Sequence, residues 1–226
     1  MHNKYCRPLV KSNKKVVADE IERTANLYEY FEVWLDYVDS VDDAFITELI
    51  NNYPNKLIFN FRRLMLEPTR MPLEQRLHIL HALSGQPAYV DLDVSSQREE
   101  YTSIDSENVD LKLIGSYHNY QETPGNKQLS EIVAEISVHQ PDIIKLSTFC
   151  QDEVDALRLM AMLLQLRSQG RKVIVLGMGN NGSVTRVFGT QWGNELVFAP
   201  EETDEQTAPG QYTRRQLDVI FQNLSL

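Results

Sequence analysis

The chain has 226 residues, is 42% hydrophobic and 24% charged, and carries a formal net charge of −10. That length suits one barrel-sized domain of roughly 200–250 residues or two small ones, and the acidic balance argues against nucleic acid as the main partner, which wants a basic stripe. Cys6 and Cys150 are too few for a disulfide framework or a thiolate metal site and read as buried free thiols; with no apolar run near 18 residues and no apolar stretch in residues 1–5, a cytoplasmic protein without a membrane segment is expected.

A strand-like run over residues 5–10 precedes a helical segment over 15–28, with Val16, Val17, Ile21 and Leu27 on or near one face. Residues 30–35 form a second apolar run, and Asp42-Asp43 open a helix carrying Phe45, Ile46, Leu49 and Ile50. A third strand covers 56–61. The helix over 72–83 then holds Leu73, Leu77, Leu80 and Leu83 in register behind Pro72, which suits a first turn because no N–H is needed there. A fourth strand over 88–94 is followed by a short polar helix over 97–104.

The fifth apolar run, Leu111-Lys112-Leu113-Ile114, turns small and polar at Gly115-Ser116-Tyr117-His118, so this strand is expected to close at a histidine. Helical spacing of Leu129, Ile132, Val133 and Ile136 leads to a sixth run, Ile143-Ile144-Lys145-Leu146, with a lysine inside it. The most apolar helix, 153–167, a seventh strand over 172–176, an eighth over 195–199 and a closing helix over 213–224 complete the chain.

Strands and helices alternating eight times predict an α/β protein, a (β/α)8 TIM barrel forming a single domain over 1–226. An open doubly wound sheet fits the alternation too, but the count favours closure. Active sites of such barrels lie at the carboxyl ends of the strands. Glu32, Arg62, Asp93, His118, Lys145, Met178 and Phe198 all fall in or at the end of a strand.

His118 stands apart from His2, His78, His81 and His139, which fall on the N-terminus and on helix faces. A lysine inside an apolar strand is disfavoured as the ammonium, which makes Lys145 a usable nucleophile. An imidazole near such an amine supports carbonyl chemistry through a Schiff base. The turn Gly177-Met178-Gly179-Asn180-Asn181-Gly182-Ser183 is expected to open a helix with Ser183 as its cap and to form an anion site. Arg186 would then stand in the first helical turn, where a cation opposes the helix dipole, and is placed there to grip an anion. The loop over 200–211 contains Glu201, Glu202, Asp204 and Glu205 and ends in Thr207-Ala208-Pro209-Gly210-Gln211; it reads as a lid or as a plain disordered connection.

Four stretches together resemble the type I 3-dehydroquinate dehydratases: Ser116-Tyr117-His118-Asn119-Tyr120 with Glu122-Thr123-Pro124, Ile144-Lys145-Leu146, Met178-Gly179 with Gly182 and Arg186, and Ala208-Pro209-Gly210-Gln211. The resemblance implies a commonly dimeric (β/α)8 barrel that removes water from the small molecule 3-dehydroquinate to give 3-dehydroshikimate. It implies no metal or diffusible cofactor, because an imine on Lys145 supplies the electrophile and His118 moves the proton as general base and then general acid. By the same resemblance Arg186 pairs with the substrate carboxylate and Thr207 and Gln211 close over the ring hydroxyls. Glu32 and Arg62 hold polar groups, and Met178 and Phe198 line the pocket.

The chain also departs from that pattern. The family usually has an arginine two residues after the glutamate, where this chain has Trp34, and Arg7 is the candidate for a replacement charge. The family's Arg-x-x-x-Glu-Gly-Gly turn is replaced by Arg62-Arg63-Leu64-Met65-Leu66-Glu67-Pro68. Arg63 keeps the spacing to Glu67, the strand pattern favours Arg62, and the carboxylate that orients His118 stays open. Asp93 stands where glutamate is common, and Thr207 where serine is common. Two further readings follow from these changes: a related Schiff-base lyase or aldolase on another small keto acid, and a barrel kept for binding or assembly.

Overall fold

A computed structural model describes residues 4–224. Its strands are β1 (Tyr5–Leu9), β2 (Tyr30–Trp34), β3 (Leu57–Asn60), β4 (Tyr89–Asp93), β5 (Lys112–Asn119), β6 (Ile143–Phe149), β7 (Val173–Met178) and β8 (Val197–Phe198). The helices between and after them are α1 (Lys14–Thr24), α2 (Asp43–Asn52), α3 (Leu73–Ala82), α4 (Arg98–Glu107), α5 (Asn126–Val138), α6 (Glu153–Ser168), α7 (Gly179–Trp192) and α8 (Arg214–Leu224). Asn13, Asp42 and Asp152 cap α1, α2 and α6 by accepting hydrogen bonds from first-turn backbone N–H groups, which fixes where those helices begin.

All strand pairings are parallel, in the order β7-β6-β5-β4-β3-β2-β1-β8. The expected (β/α)8 TIM barrel is therefore what the chain forms. The last seam, between β7 and β8, is narrow because β8 has two residues. It is bridged by a hydrogen bond from Glu195 N to Val173 O (2.9 Å) and by the Asn194 amide. That amide accepts from Val175 N at 2.7 Å and donates to Val175 O at 2.9 Å, as a neighbouring peptide would.

Alternation along the strands separates two layers. Phe31, Val33, Phe59, Val90, Leu92, Leu146 and Val175 face outward into the core beneath the helices. Cys6, Ile58, Ile114, Ile143, Ile174, Leu176, Met178 and Phe198 face inward as an apolar cluster inside the barrel. Cys6 and Cys150 are buried free thiols. His78 and His81 pair at the surface with Asp43 and Glu107, and His139 pairs with Asp105 while stacking on Tyr101. His2 lies outside the described residues.

Two boundaries matter to the site, and the second differs from what the sequence suggests. β5 ends at Asn119, one residue past His118, so the strand closes at the histidine as its sequence suggests. Ser116 and His118 are polar because they share the inward face with Ile114 at the barrel's mouth. Gly115 is required because a Cβ there would lie 2.6 Å from the Ile136 side chain. α7 begins at Gly179, four residues before Ser183. A Cβ on Gly177 or Gly182 would meet the other's backbone within 2.5–2.8 Å, so the first turn of α7 can pack directly on the end of β7 only with glycine at both positions.

Candidate active site

Inward alternation on β6 carries Ile143, Lys145 and Ser147 toward the barrel axis, with the lysine just above the apolar cluster. Lys145 is buried, its Nζ 2.6 Å from Asp91 Oδ2, 3.3 Å from Glu32 Oε1 and 4.2 Å from the centroid of the Phe198 ring. Asp91 also receives both terminal nitrogens of Arg62 (2.6 and 3.1 Å) and the Ser116 hydroxyl (2.5 Å). Burial alone would raise the Asp91 carboxyl, but the charges of Arg62 and Lys145 outweigh it and hold the group well below the usual carboxylate range. Arg62 lies 3.6 Å from Glu32 as well, so two cations and two carboxylates form one buried, fully interlocked network.

His118 is on the adjacent strand, its backbone paired in register with Ser147. Asp93 Oδ2 accepts from the His118 backbone N–H at 2.8 Å and contacts its Nδ1 at 2.9 Å. A carboxylate only accepts, so Nδ1 carries the proton and Nε2 is left with its lone pair. The other Asp93 oxygen is held by the N–H and hydroxyl groups of Ser95 and Ser96, which fixes the carboxylate and through it the ring. Burial, with the nearby charges of Arg62 and Lys145, pushes the His118 imidazole below its ordinary value, and the Asp93 contact opposes this only in part. The ring is therefore a neutral base at neutral pH.

Glu32, Trp34, Arg62, His118, Tyr120, Lys145, Ser147, Leu176, Arg186 and Phe198 surround one small cavity of about 30 Å³. Thr207, Ala208 and Gln211 of the loop after β8 cover it. Arg186 enters the cavity from α7, seven residues beyond Gly179, so it does not oppose the dipole of a first helical turn as its sequence position suggested. What marks it is burial without pairing: its Nε and both terminal nitrogens have no hydrogen-bond partner among the described residues. Desolvation pushes this guanidinium down to about 10, which leaves it charged at neutral pH. A buried cation with no counter-charge, facing a half-open cavity, suits an anion.

A family model described as type I 3-dehydroquinase matches residues 5–225. The chain belongs to the type I 3-dehydroquinase family. It is 31% identical over 219 residues to a 3-dehydroquinate dehydratase of Thermococcus onnurineus, covering 94% of this chain and 95% of that protein. It is 32% identical over 150 residues to one from Methanococcus maripaludis, covering 65% of this chain and 66% of that one. Among solved structures, the 3-dehydroquinate dehydratase of Geobacillus kaustophilus shares the fold with a TM-score of 0.81 at 20% identity, covering all of this chain and 93% of that one.

Several residues lie where the family pattern led us to expect, and several do not. Glu32, Arg62, His118, Lys145, Arg186, Thr207, Gln211 and Phe198 meet at the cavity, as does Trp34. At the position where the family usually has an arginine, Trp34 Nε1 donates to Glu32 Oε2 at 2.7 Å, and its ring lies 5.8 Å from the Arg62 guanidinium. Met178 packs in the inner apolar cluster without lining the cavity, where Leu176 stands instead. Arg63 points away to Asp36 (3.1 Å) and the Tyr37 ring, and Glu67 is largely exposed beside it, 3.7 Å away. The carboxylate on His118 is Asp93.

Arg7 is no replacement charge for the cavity. It shares the outward face of β1 with Tyr5 and Leu9 and pairs with groups on α1 and on the loop after β8. The sequence reading did not single out Asp91, Ser116, Tyr120 or Ser147. The first of these had a signal, since Tyr89, Asp91 and Asp93 repeat at the inward spacing of β4. The 200–211 segment is folded over the mouth. The Gln211 amide braces Thr207, accepting from its backbone N–H at 2.8 Å and donating to its hydroxyl at 3.0 Å.

Among the described residues no His, Cys, Asp and Glu side chains are grouped so as to hold a metal ion, and no helix is long and apolar enough to cross a membrane.

Proposed function

We propose that this chain is a hydro-lyase that converts 3-dehydroquinate to 3-dehydroshikimate through a Schiff base on Lys145, with His118 as general base and then general acid. The observation that carries the reading is the shared cavity of three groups: a buried amine, a neutral imidazole with its Nε2 free, and a buried guanidinium without a counter-charge. Those are the requirements for a substrate that bears a ketone, an acidic carbon next to it and a carboxylate.

Arg186 binds the carboxylate and thereby fixes which face of the ring meets Lys145 and His118. Lys145, an ammonium between Asp91 and Glu32 in the free protein, gives a proton to the neutral His118 in the same cavity; the amine so freed adds to the ketone, and the imidazolium returns that proton to the departing water as the protonated imine forms. The protonated imine draws electrons from the adjacent carbon, His118 Nε2 takes the proton from it, and the resulting imidazolium delivers that proton to the departing hydroxyl. Asp93 stabilises the imidazolium during the transfer. Water then releases the product and restores the amine. Glu32 and Arg62, with Thr207 and Gln211 from above, face the polar edge of the ring. No resident metal or diffusible cofactor enters these steps, because the imine is the electron sink. The family resemblance further supports one barrel domain working as a homodimer in the cytoplasm.

Incubation with 3-dehydroquinate and borohydride tests the reading: the mass of the reduced adduct should appear on Lys145, the dehydrated product should form without borohydride, and Lys145→Ala should lose both. An unmodified Lys145 with no dehydration would sink it.

A further inference from the structure

We propose that Arg7 is a positioning residue for the loop over the cavity, clamping its first half to α1 so that Thr207 and Gln211 stay over the mouth. The inference rests on the proposed function for what the loop closes upon, but its geometry is independent of it. Arg7 is 1% exposed and joins two segments far apart in sequence. One terminal nitrogen meets Thr24 Oγ1 at 3.1 Å and Glu20 Oε2 at 2.8 Å on α1. The other meets Glu201 Oε2 at 2.9 Å and Glu205 Oε2 at 3.2 Å on the loop.

Two exposed or half-buried cations complete the clamp. Lys11 reaches Glu205 Oε1 at 2.8 Å, and Arg23 pairs with both Glu20 and Glu201. Three cations thus alternate with three carboxylates, and Glu205 also closes a capping box with Glu202 that shapes the loop's short 3-10 turn over Thr203–Glu205.

The second half of the loop is held differently. Gly179 N donates to Pro209 O at 3.1 Å, and Gly210, at φ +78°, sits where a Cβ would lie 2.5 Å from Gly179 O. Between these two anchors, the block over 206–211 braces itself through Gln206 Nε2 on Gln211 O at 2.6 Å and the Thr207–Gln211 pair. A self-braced block with one neutral anchor and one ionic anchor closes only when both are made.

The clamp also disposes of a charge problem. The loop that lines the cavity through Thr207, Ala208 and Gln211 also carries four acidic residues, near a buried free guanidinium that suits an anion. Unpaired, those acids would repel such a ligand. Arg7, Lys11 and Arg23 turn two of them, Glu201 and Glu205, toward α1 and away from the cavity. The partners of Arg7 on the loop keep some exposure, 25% for Glu201 and 19% for Glu205, so water and salt reach the clamp without opening the core.

Hydrogen exchange read by mass spectrometry on wild type, Arg7→Met and the double variant Glu201→Gln/Glu205→Gln tests this. Amides over 200–211 should exchange roughly tenfold faster in both variants while β3 to β7 stay as protected as in wild type. Turnover of 3-dehydroquinate should lose roughly tenfold in kcat/KM with kcat changed by less than about threefold, because closure is made harder and the chemistry is untouched. Wild-type kcat/KM should fall with added salt, and the double variant should lose that dependence. Should Arg7→Met fail to fold, the double variant decides alone. Unchanged exchange over 200–211, or faster exchange spread equally through β1 and α1, would overturn the proposal. If wild type does not turn over 3-dehydroquinate but the loop exchanges as stated, the enzymatic reading fails and the clamp stands.

Discussion

Asp93 holds His118 twice with one carboxylate oxygen, at 2.8 Å from the backbone N–H and 2.9 Å from Nδ1. The first contact sets the strand end against β4; the second sets the tautomer. Substituting Asn keeps the shape, but one oxygen takes both His118 contacts, so an amide nitrogen at that place loses the backbone and the Nδ1 contact together and frees the ring to change tautomer. Asp93→Asn is therefore expected to lower kcat by about 10²–10⁴, the range found when a histidine base loses its orienting carboxylate, with little change in KM. Steady-state kinetics on 3-dehydroquinate measures it, and an unchanged kcat would remove Asp93 from the proton transfer.

The pH dependence follows from the same pair. Burial and the charges of Arg62 and Lys145 depress the His118 imidazole below its ordinary 6.5, and Asp93 raises it part of the way back. The working base is the neutral ring, so activity persists through pH 6.5 and is lost only as pH falls through the depressed value. The acid limb of kcat/KM should lie below pH 6.5 and should move still lower in Asp93→Asn, where the opposing contact is gone. Stability follows the same sign: below pH 6.5 the unfolded histidine takes a proton that the folded one refuses, so this group costs stability as pH falls. A limb above 6.5, or a shift upward in the variant, contradicts the assignment.

Asp91 ties Arg62, Lys145 and Ser116 together from the centre of β4. Asp91→Asn leaves two buried cations facing one remaining carboxylate, Glu32. Breaking a buried pair on one side costs about 3–5 kcal/mol, far more than the pair itself contributes. A urea midpoint lowered by that free energy divided by the slope, with the slope itself unchanged, is the expected result. A stability loss under about 1 kcal/mol would show the network to be relaxed by water.

The legibility of these features in the sequence tracks the range of the interactions that define them. Lys145 is readable because period-2 alternation alone puts it inside an apolar strand, and strand order puts His118 beside it. The extent of β5 is readable too: its residues predict a close at His118, and the strand stops one residue later, at Asn119. The start of α7 is hidden by the contact of Gly177 with Gly182, so Arg186 seemed to need a dipole argument when burial without a partner was its real mark. The ion pairs of Asp91 and Arg7 are the hardest cases, although the inward spacing of β4 marks Asp91 itself. Their partners lie 54 positions away at Lys145, and 194 and 198 positions away at Glu201 and Glu205, and no local pattern encodes such pairs.

Trp34 takes over a position at which an arginine is usual, and its contribution is a single N–H to Glu32. Trp34→Phe keeps the aromatic face toward Arg62 and Tyr37 and removes only that donor. A hydrogen bond to a charged acceptor contributes about 1.5–3 kcal/mol, so kcat/KM should fall by roughly 10–100-fold if Glu32 must be held for substrate. Trp34→Arg restores a donor and should recover part of the loss. Wild-type kinetics in Trp34→Phe would mean that Lys145 and Arg62 hold Glu32 by themselves.

Arg186 separates stability from function. Its guanidinium is desolvated, carries its charge and meets no acceptor among the described residues, so the free protein bears an uncompensated cost there. Arg186→Met keeps the aliphatic volume and removes the charge. The variant should be more stable than wild type by about 1–3 kcal/mol. For a chain of this size that is a rise of roughly 2–4 °C in Tm per kcal/mol. Binding should suffer in the opposite sense. Loss of a charge-assisted, desolvated carboxylate contact costs about 2–5 kcal/mol, so kcat/KM for 3-dehydroquinate should drop by at least roughly 30-fold. A small cyclic carboxylate that raises the wild-type Tm should leave the variant's Tm unmoved. Melting curves with and without that ligand read both effects in one experiment. A variant that melts below wild type in the absence of ligand would show that Arg186 is satisfied in the free protein, and the cavity would lose its claim to be an anion site held in reserve for substrate.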